Sequence, residues 1–536
     1  MRCFIGVSLV CVTIVAPRPA VAQTAGVGDV SFPNSGAPAA QESFLAGLAQ
    51  LHNFEYDASA ALFRQAQQID PGFALAYWGE AMTYNHPVWM QQDRDAARAA
   101  LARLAASPEG RLAKAKTERE RDYLRAVDVL YGEGDKNVRD VAYADAMAAM
   151  YRTYPDDPDA AAFYALSLLG TAHEGRDFAT YMRSAAVLEP IFHDHPTHPG
   201  AAHYLIHSYD DPVHAPLGLR AARAYSKIAP SAAHAQHMTS HIFVAMGMWD
   251  DVVAANEAAM TVVDRARAGR NQPPGACGHY NFWLEYGYLQ QGRFRAAKKL
   301  VTDCHAAAAR VASRQDAAAA HEHDPDNTLI GSFTAMRARY LIDTQEWTGD
   351  VAGLSIAAGT RRAGQITMEF VNGLSALQRG QPERAGEALE RLKSARTAMN
   401  AEPDKATGDE SYRSGAKILE QLLAGSIQVA HGATAEGISA LREAAAAEEK
   451  LPFDFGPPSI DKPSYELLGE VLMTAGRPKE ARAAFEKALA RTPERTSVLL
   501  GLMRAAEKLG DQKKAAELQA RLRAIWRAAD RTPPFE

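Results

Sequence analysis

Residues 462–495, KPSYELLGEVLMTAGRPKEARAAFEKALARTPER, decide the fold. Apolar and small residues recur there at helical spacing. The first set is Tyr465, Leu468, Gly469 and Leu472; the second, after Gly476, is Ala481, Phe485 and Ala488, closed by Pro493. Steps of three and four put each set on one helix face. Small residues let two helices approach, and the proline ends the second helix. The stretch therefore reads as a helix–turn–helix of 34 residues. A unit of this kind buries its apolar face by stacking on its neighbours.

Weaker copies run outward from it. Residues 40–71 carry Gly47, Phe63, Ala66 and Pro71 at matching offsets, and a second unit starts at Phe73, with Gly79 and an insertion through His86-Pro87-Val88-Trp89. Looser units cover 117–155 and 160–196. Two tighter ones follow, marked by Pro230 and Gly247, and then 278–312 with Tyr288, Gly292 and Ala297. Further units are read at 366–400, 418–450 and after 495, where a charged last helix reads as a cap. About ten helix pairs are expected and no strand of useful length. The expected organisation is a leader at 1–22, a flexible lead-in at 23–40 and a repeat array at 41–312. A divergent helical segment at 313–359, repeats at 360–450, a Pro/Gly insert at 451–461 and C-terminal repeats with a cap at 462–536 complete it.

Composition bounds the chemistry. Charged residues make up 23% of the 536 residues and hydrophobic ones 47%, which reads as soluble and helical. Arg2, the apolar run Phe4 to Val15 and Ala20-Val21-Ala22 form a secretory leader, with cleavage expected before Gln23. A periplasmic or secreted protein is implied. Loss of Arg2 and Arg18 would take the formal charge from −6 to −8, a poor balance for nucleic-acid binding. No later segment is long and apolar enough for a membrane span. Cys277 and Cys304 remain after cleavage. They fall before one expected helix and late in the next, places that adjoin in a hairpin, so a disulfide and two free thiols are the alternatives.

The pattern resembles the tetratricopeptide-repeat proteins along nearly the whole chain after the leader. What that resemblance implies is an all-α, right-handed superhelical solenoid. The stretches His198-Pro-Gly-Ala-Ala-His203-Tyr-Leu-Ile-His207 and His237-Met-Thr-Ser-His241-Ile also resemble a group of exported bacterial repeat proteins.

Those stretches carry the chemistry. Nine of the 17 histidines lie between residues 193 and 241. His203 and His207 form an i, i+4 pair, as do His237 and His241, so each pair shares a helix face. The pairs are 34 residues apart, in phase with the repeat. The resemblance puts all four, with His234, His279 and Tyr286, on the first helices that line the concave groove; His173 and His52 also fall near a groove-lining position. Imidazoles on helices 8–10 Å apart can share an ion, and all-nitrogen ligation suits Cu, Zn or Fe without choosing among them. The candidate ligands are His203, His207, His237 and His241, with His234 and His279 completing a site or holding a second ion. Asp210 and Asp211 are candidate acceptors for imidazole N–H groups, and Tyr286 is a candidate proton donor.

No HExxH is present, since Tyr204 and Met238 follow the two leading histidines. No phosphate-cradling loop, nucleophile elbow or CxxC occurs either. His321-Glu-His323-Asp reads as a solvated loop. Two functions remain: a metal-dependent enzyme, hydrolytic or oxidative, acting on a small molecule or peptide in the groove, and a periplasmic scaffold holding a peptide or partner helix there.

Overall fold

The computed structural model describes residues 22–24, 26–312, 329–356, 362–401 and 410–535. The expected leader, apart from Ala22, and the loop with His321 and His323 lie outside the described residues.

Among the described residues there are 25 α-helices and two short two-stranded ribbons, Ala22–Thr24 with Gly28–Val30 and Asn85–His86 with Gln91–Gln92. The helices stack as antiparallel pairs in a solenoid of about twelve pairs. Unit 462–495 folds as expected, with helices Ser464–Thr474 and Pro478–Arg491. Gly476 turns between them at φ +71°. Phe485 wedges between Gly469 and Gly501 of the next pair, where an added Cβ would sit 2.6 and 2.4 Å from its ring. Phe63 is wedged in the same way between Gly47 and Gly79. Burial of each ring contributes about 2–3 kcal/mol, and at Gly79, Gly469 and Gly501 only glycine leaves room for it. The first helices of successive pairs also touch one another, as 158–169 does 199–209 and 199–209 does 233–245, and so form a continuous inner wall.

Three long-range contacts close this solenoid on itself. The C-terminal units return to the middle of the chain: Trp249 Nε1 donates to the Glu494 carbonyl at 2.9 Å, and the Thr496 hydroxyl donates to the Gln290 carbonyl at 2.7 Å. The insert crosses the interior, with its Phe453 stacked on Phe178 at 5.9 Å and Arg339 donating to the carbonyls of Pro458 and Asp461 at 2.8 Å. The N-terminal stretch is the third. The segment 23–40, expected to be loose, is packed from Val27 onward: Val27, Val30 and Phe32 are buried, and Asn53 donates to the Val27 carbonyl. The reason is aromatic. Phe32 sits among Phe44, Trp78 and Tyr123, with ring centroids 5.1–5.7 Å apart.

Cys277 and Cys304 are bonded to each other, with Cα atoms 4.8 Å apart. The bond ties the start of helix His279–Gln290 to helix Phe294–Ala312. Closing a loop of this length stabilises the folded chain by about 3–4 kcal/mol. No described helix is long and apolar enough to cross a membrane.

Candidate metal centre

Three first helices supply the imidazoles. Helix Pro199–Tyr209 starts from His198, whose Nδ1 accepts the Ala201 N–H, with Pro199 where no donor is needed. It carries His203 and His207. Helix Ala233–Ala245 carries His234, His237 and His241, and helix His279–Gln290 begins with His279. Every residue of 199–209 is buried, and so is every residue from Ala233 to Val244. Such helices have neighbours on all sides, not an open groove.

The six histidines expected from the sequence come together as two adjoining triads. His203, His207 and His234 form one; His237, His241 and His279 form the other; within each, ligand nitrogens lie within 4.8 Å of one another. Two nitrogens on one tetrahedral ion of ordinary bond length are about 3.3 Å apart. The closest contacts are near that value: His203 Nε2 to His234 Nε2 at 3.2 Å, and His237 Nε2 to His241 Nε2 at 3.1 Å. His207 Nε2 is buried without any hydrogen-bond partner.

Tautomers follow from the other ring nitrogen. His203 Nδ1 lies 2.7 Å from the His52 carbonyl, which only accepts. His237 Nδ1 lies 2.7 Å from Asn256 Oδ1, and the Asn256 amide is oriented by donating to the Val252 carbonyl. His241 Nδ1 lies 2.5 Å from Asp210 Oδ2. All three Nδ1 atoms donate, so in the neutral rings all three Nε2 atoms present lone pairs. Burial, with the neighbouring imidazoles adding to it, holds His203, His207, His234 and His237 well below the usual histidine range and His279 down to about 3. The rings favour the neutral form that binds metal.

The surroundings are aromatic. Trp283 stacks on His241 at 4.3 Å, Tyr225 on His203 at 5.1 Å, and Phe54 meets His203 edge-on at 4.3 Å. Phe54 has φ +56°, a left-handed conformation unusual for an aromatic residue and costing about 1–2 kcal/mol. It follows the His52 carbonyl that orients His203. Phe455 of the insert covers the other side, 5.2 Å from His241. The insert passes Trp283 only because residue 456 is glycine; a Cβ there would be 2.2 Å from the indole. Beyond His279 and Trp283 lies a hollow of ≈ 1620 Å³, lined also by Trp89, Arg176, Arg339 and Phe455.

Other expected residues fall elsewhere. Asp210 does accept an imidazole N–H, from His241 of the other pair. Asp211 does not serve the site: it binds His214 and Arg176 and caps the turn after residue 209. Tyr286 faces Arg495 at 3.5 Å in a separate buried ionic cluster with Asp343 and Glu466. It lies on the helix of His279 and on the same face, but two turns further along, so the helical offset gave the face and not the neighbour met there. His173 pairs with Asp140. His52 heads a second buried cluster: its Nε2 donates to Asp159 at 2.8 Å, its Nδ1 accepts from the Tyr204 hydroxyl at 3.0 Å, and His198 Nε2 also donates to Asp159. Asn256 and the His52 carbonyl, which fix two tautomers, carry no sequence signal; they are found only through contacts.

Comparison with known proteins adds little beyond the fold. A tetratricopeptide repeat family model matches residues 463–495. No curated protein matches the chain. Among solved structures, yeast Tom70 is similar at 11% identity over 90% of this chain and 92% of its own, with a TM-score of 0.34. Human IFIT1, solved as a dimer with PPP-AAAA, is similar at 12% identity over 92% and 91%, with a TM-score of 0.31. The Cut9–Hcn1 hetero-tetramer of the APC/C gives 11% identity over 93% and 78%, and 0.34.

Proposed function

We propose that this chain is an exported metalloprotein whose six-histidine centre holds a transition metal beside the solenoid's interior hollow, where it acts on a small molecule by hydrolytic or oxidative chemistry. One observation carries the reading. His237 and His241 face each other at 3.1 Å through Nε2 atoms that both present lone pairs, because both Nδ1 atoms are committed as donors. Two lone pairs at that distance repel. The contact is stable with a cation between them, or with a proton taken up by one ring; the third imidazole of the triad, His279, supplies a further nitrogen ligand and favours the metal. Anchored Nδ1 atoms are also the usual partners of metal-bound histidine. When bound, the ion supplies Lewis acidity or electron transfer. The chain's own residues hold it, orient the rings and exclude water with Trp283, Phe54 and Phe455.

A second reading rests on the hollow. At ≈ 1620 Å³ it exceeds the 300–1,000 Å³ of ordinary small-molecule pockets, which suits a scaffold that takes a peptide segment or partner helix. The two readings separate on metal content. The untagged protein should carry about one or two equivalents of Cu, Zn or Fe, and His203→Ala/His237→Ala should carry almost none. A wild-type protein that arrives metal-free and takes up none of the three would overturn the metal reading and leave the scaffold.

A further inference from the structure

The imidazoles form two triads, joined by a third group of His207, Asp210 and His241 whose ligand atoms also lie within 4.8 Å of one another. Helix Ala233–Ala245 contributes to both, with His234 in the first and His237 and His241 in the second. Those positions lie at i, i+3 and i+7 on one helix face, so the two binding points follow one another along that face. Each triad has its own demand for a cation. In the second it is the facing lone pairs of His237 and His241. In the first, His203 Nε2 presents a lone pair because its Nδ1 donates to the His52 carbonyl, and His207 Nε2 is buried with no partner at all. One ion placed between His237 and His241 leaves His207 unsatisfied. An ion among His203, His207 and His234 leaves the 3.1 Å contact unrelieved.

We infer that the chain binds two transition-metal ions, one in each triad, with a small oxygen anion bridging them. The inference rests on the metal reading above. Three imidazoles leave each ion at least one free position. The triads meet along a seam where the His207 and His241 rings are 5.8 Å apart and the His234 and His237 rings 6.1 Å apart. Bridged two-metal sites place their ions about 3.5–4 Å apart, and the two triads approach closely where ligand atoms of His207, Asp210 and His241 lie within 4.8 Å of one another. The anion follows from charge. Six neutral imidazoles bring none, and the one carboxylate in the clusters around the seam is Asp210, hydrogen-bonded to His241 with its Oδ1 buried and partnerless. Two divalent ions against one carboxylate would leave a large uncompensated positive charge in a buried site. A bridging hydroxide, or a small oxyanion admitted from the hollow past His279, offsets it.

Titration of the metal-free protein with Co²⁺ tests this. Wild type should saturate at two equivalents; His234→Ala and His279→Ala should each saturate at one. Saturation of wild type at one equivalent would overturn the pair while leaving the metal reading intact, and no uptake would remove both. A variant that stays folded by circular dichroism yet loses both ions would overturn the assignment of one ion to each triad. The bridge is read with Cu²⁺. A bridged pair couples and loses most of its paramagnetic resonance signal, whereas each single-ion variant shows the full signal of one copper. A full two-copper signal from wild type would overturn the bridge.

Discussion

Two buried histidine clusters lie side by side in this protein, and they differ in how their ring nitrogens are matched. In His52–Asp159–His198 every ring nitrogen has a matched partner: His52 donates to Asp159 and accepts from Tyr204, and His198 donates to Asp159 and accepts from the Ala201 amide. In the six-histidine cluster the Nδ1 atoms of His203, His237 and His241 are matched, while their Nε2 atoms meet other nitrogens. Burial is alike in both, with His52 and His203 each at 0% exposure. Burial therefore does not distinguish a packed network from a candidate metal centre. Donor and acceptor accounting does.

The comparison can be broken experimentally, and the largest effect expected is in metal content. His203→Ala/His237→Ala should abolish binding. It should also remove the loss of thermal stability that chelator causes in wild type, since a ligand bound only by the folded chain stabilises it. Asp159→Ala is the counterpart in the matched cluster. It leaves two buried imidazole donors without their acceptor and should cost about 3–5 kcal/mol, read as a lower denaturation midpoint, with metal content unchanged. Metal lost in proportion would mean that the two clusters form one site.

Asn256→Ala should act more mildly. His237 loses the acceptor that fixes its tautomer, and metal affinity should fall about 10–100-fold, measured by competition with a chelator of known affinity. An unchanged affinity would show that the ring is held by packing alone.

The smallest effect expected is a pH trend in the metal-free protein. Burial puts the folded-state values of His203, His207, His234, His237 and His279 below the ordinary 6.5, with His279 down to about 3. The unfolded chain therefore takes up protons first as pH falls. Stability should be fully present above about pH 6.5 and decline below it, for His279 as far as about pH 3. Midpoints measured between pH 7.5 and 5 should fall steadily; a rise would mean that the cluster is stabilised by protonation, as a proton shared between His237 and His241 requires.

By itself the sequence determined the repeat and the opposition of the two histidine pairs. Both follow from local periodicity: a 3.6-residue turn sets the face, and a 34-residue unit repeats it on the next first helix, so His203 and His207 meet the helix of His237 and His241. His234 and His279 were legible for the same reason. Tyr286 shows the limit, because an offset that fixes the face does not say which neighbour that face meets two turns along. Only the tertiary structure decided that the wall is covered, by Phe54 from one end of the chain and Phe455 from the insert. It also decided that two of the tautomers are fixed by the His52 carbonyl and Asn256. The physical reason is distance along the chain. His203 takes its acceptor from a residue 151 positions away, and a contact of that range leaves no period in the sequence; it exists only once the solenoid has closed on itself.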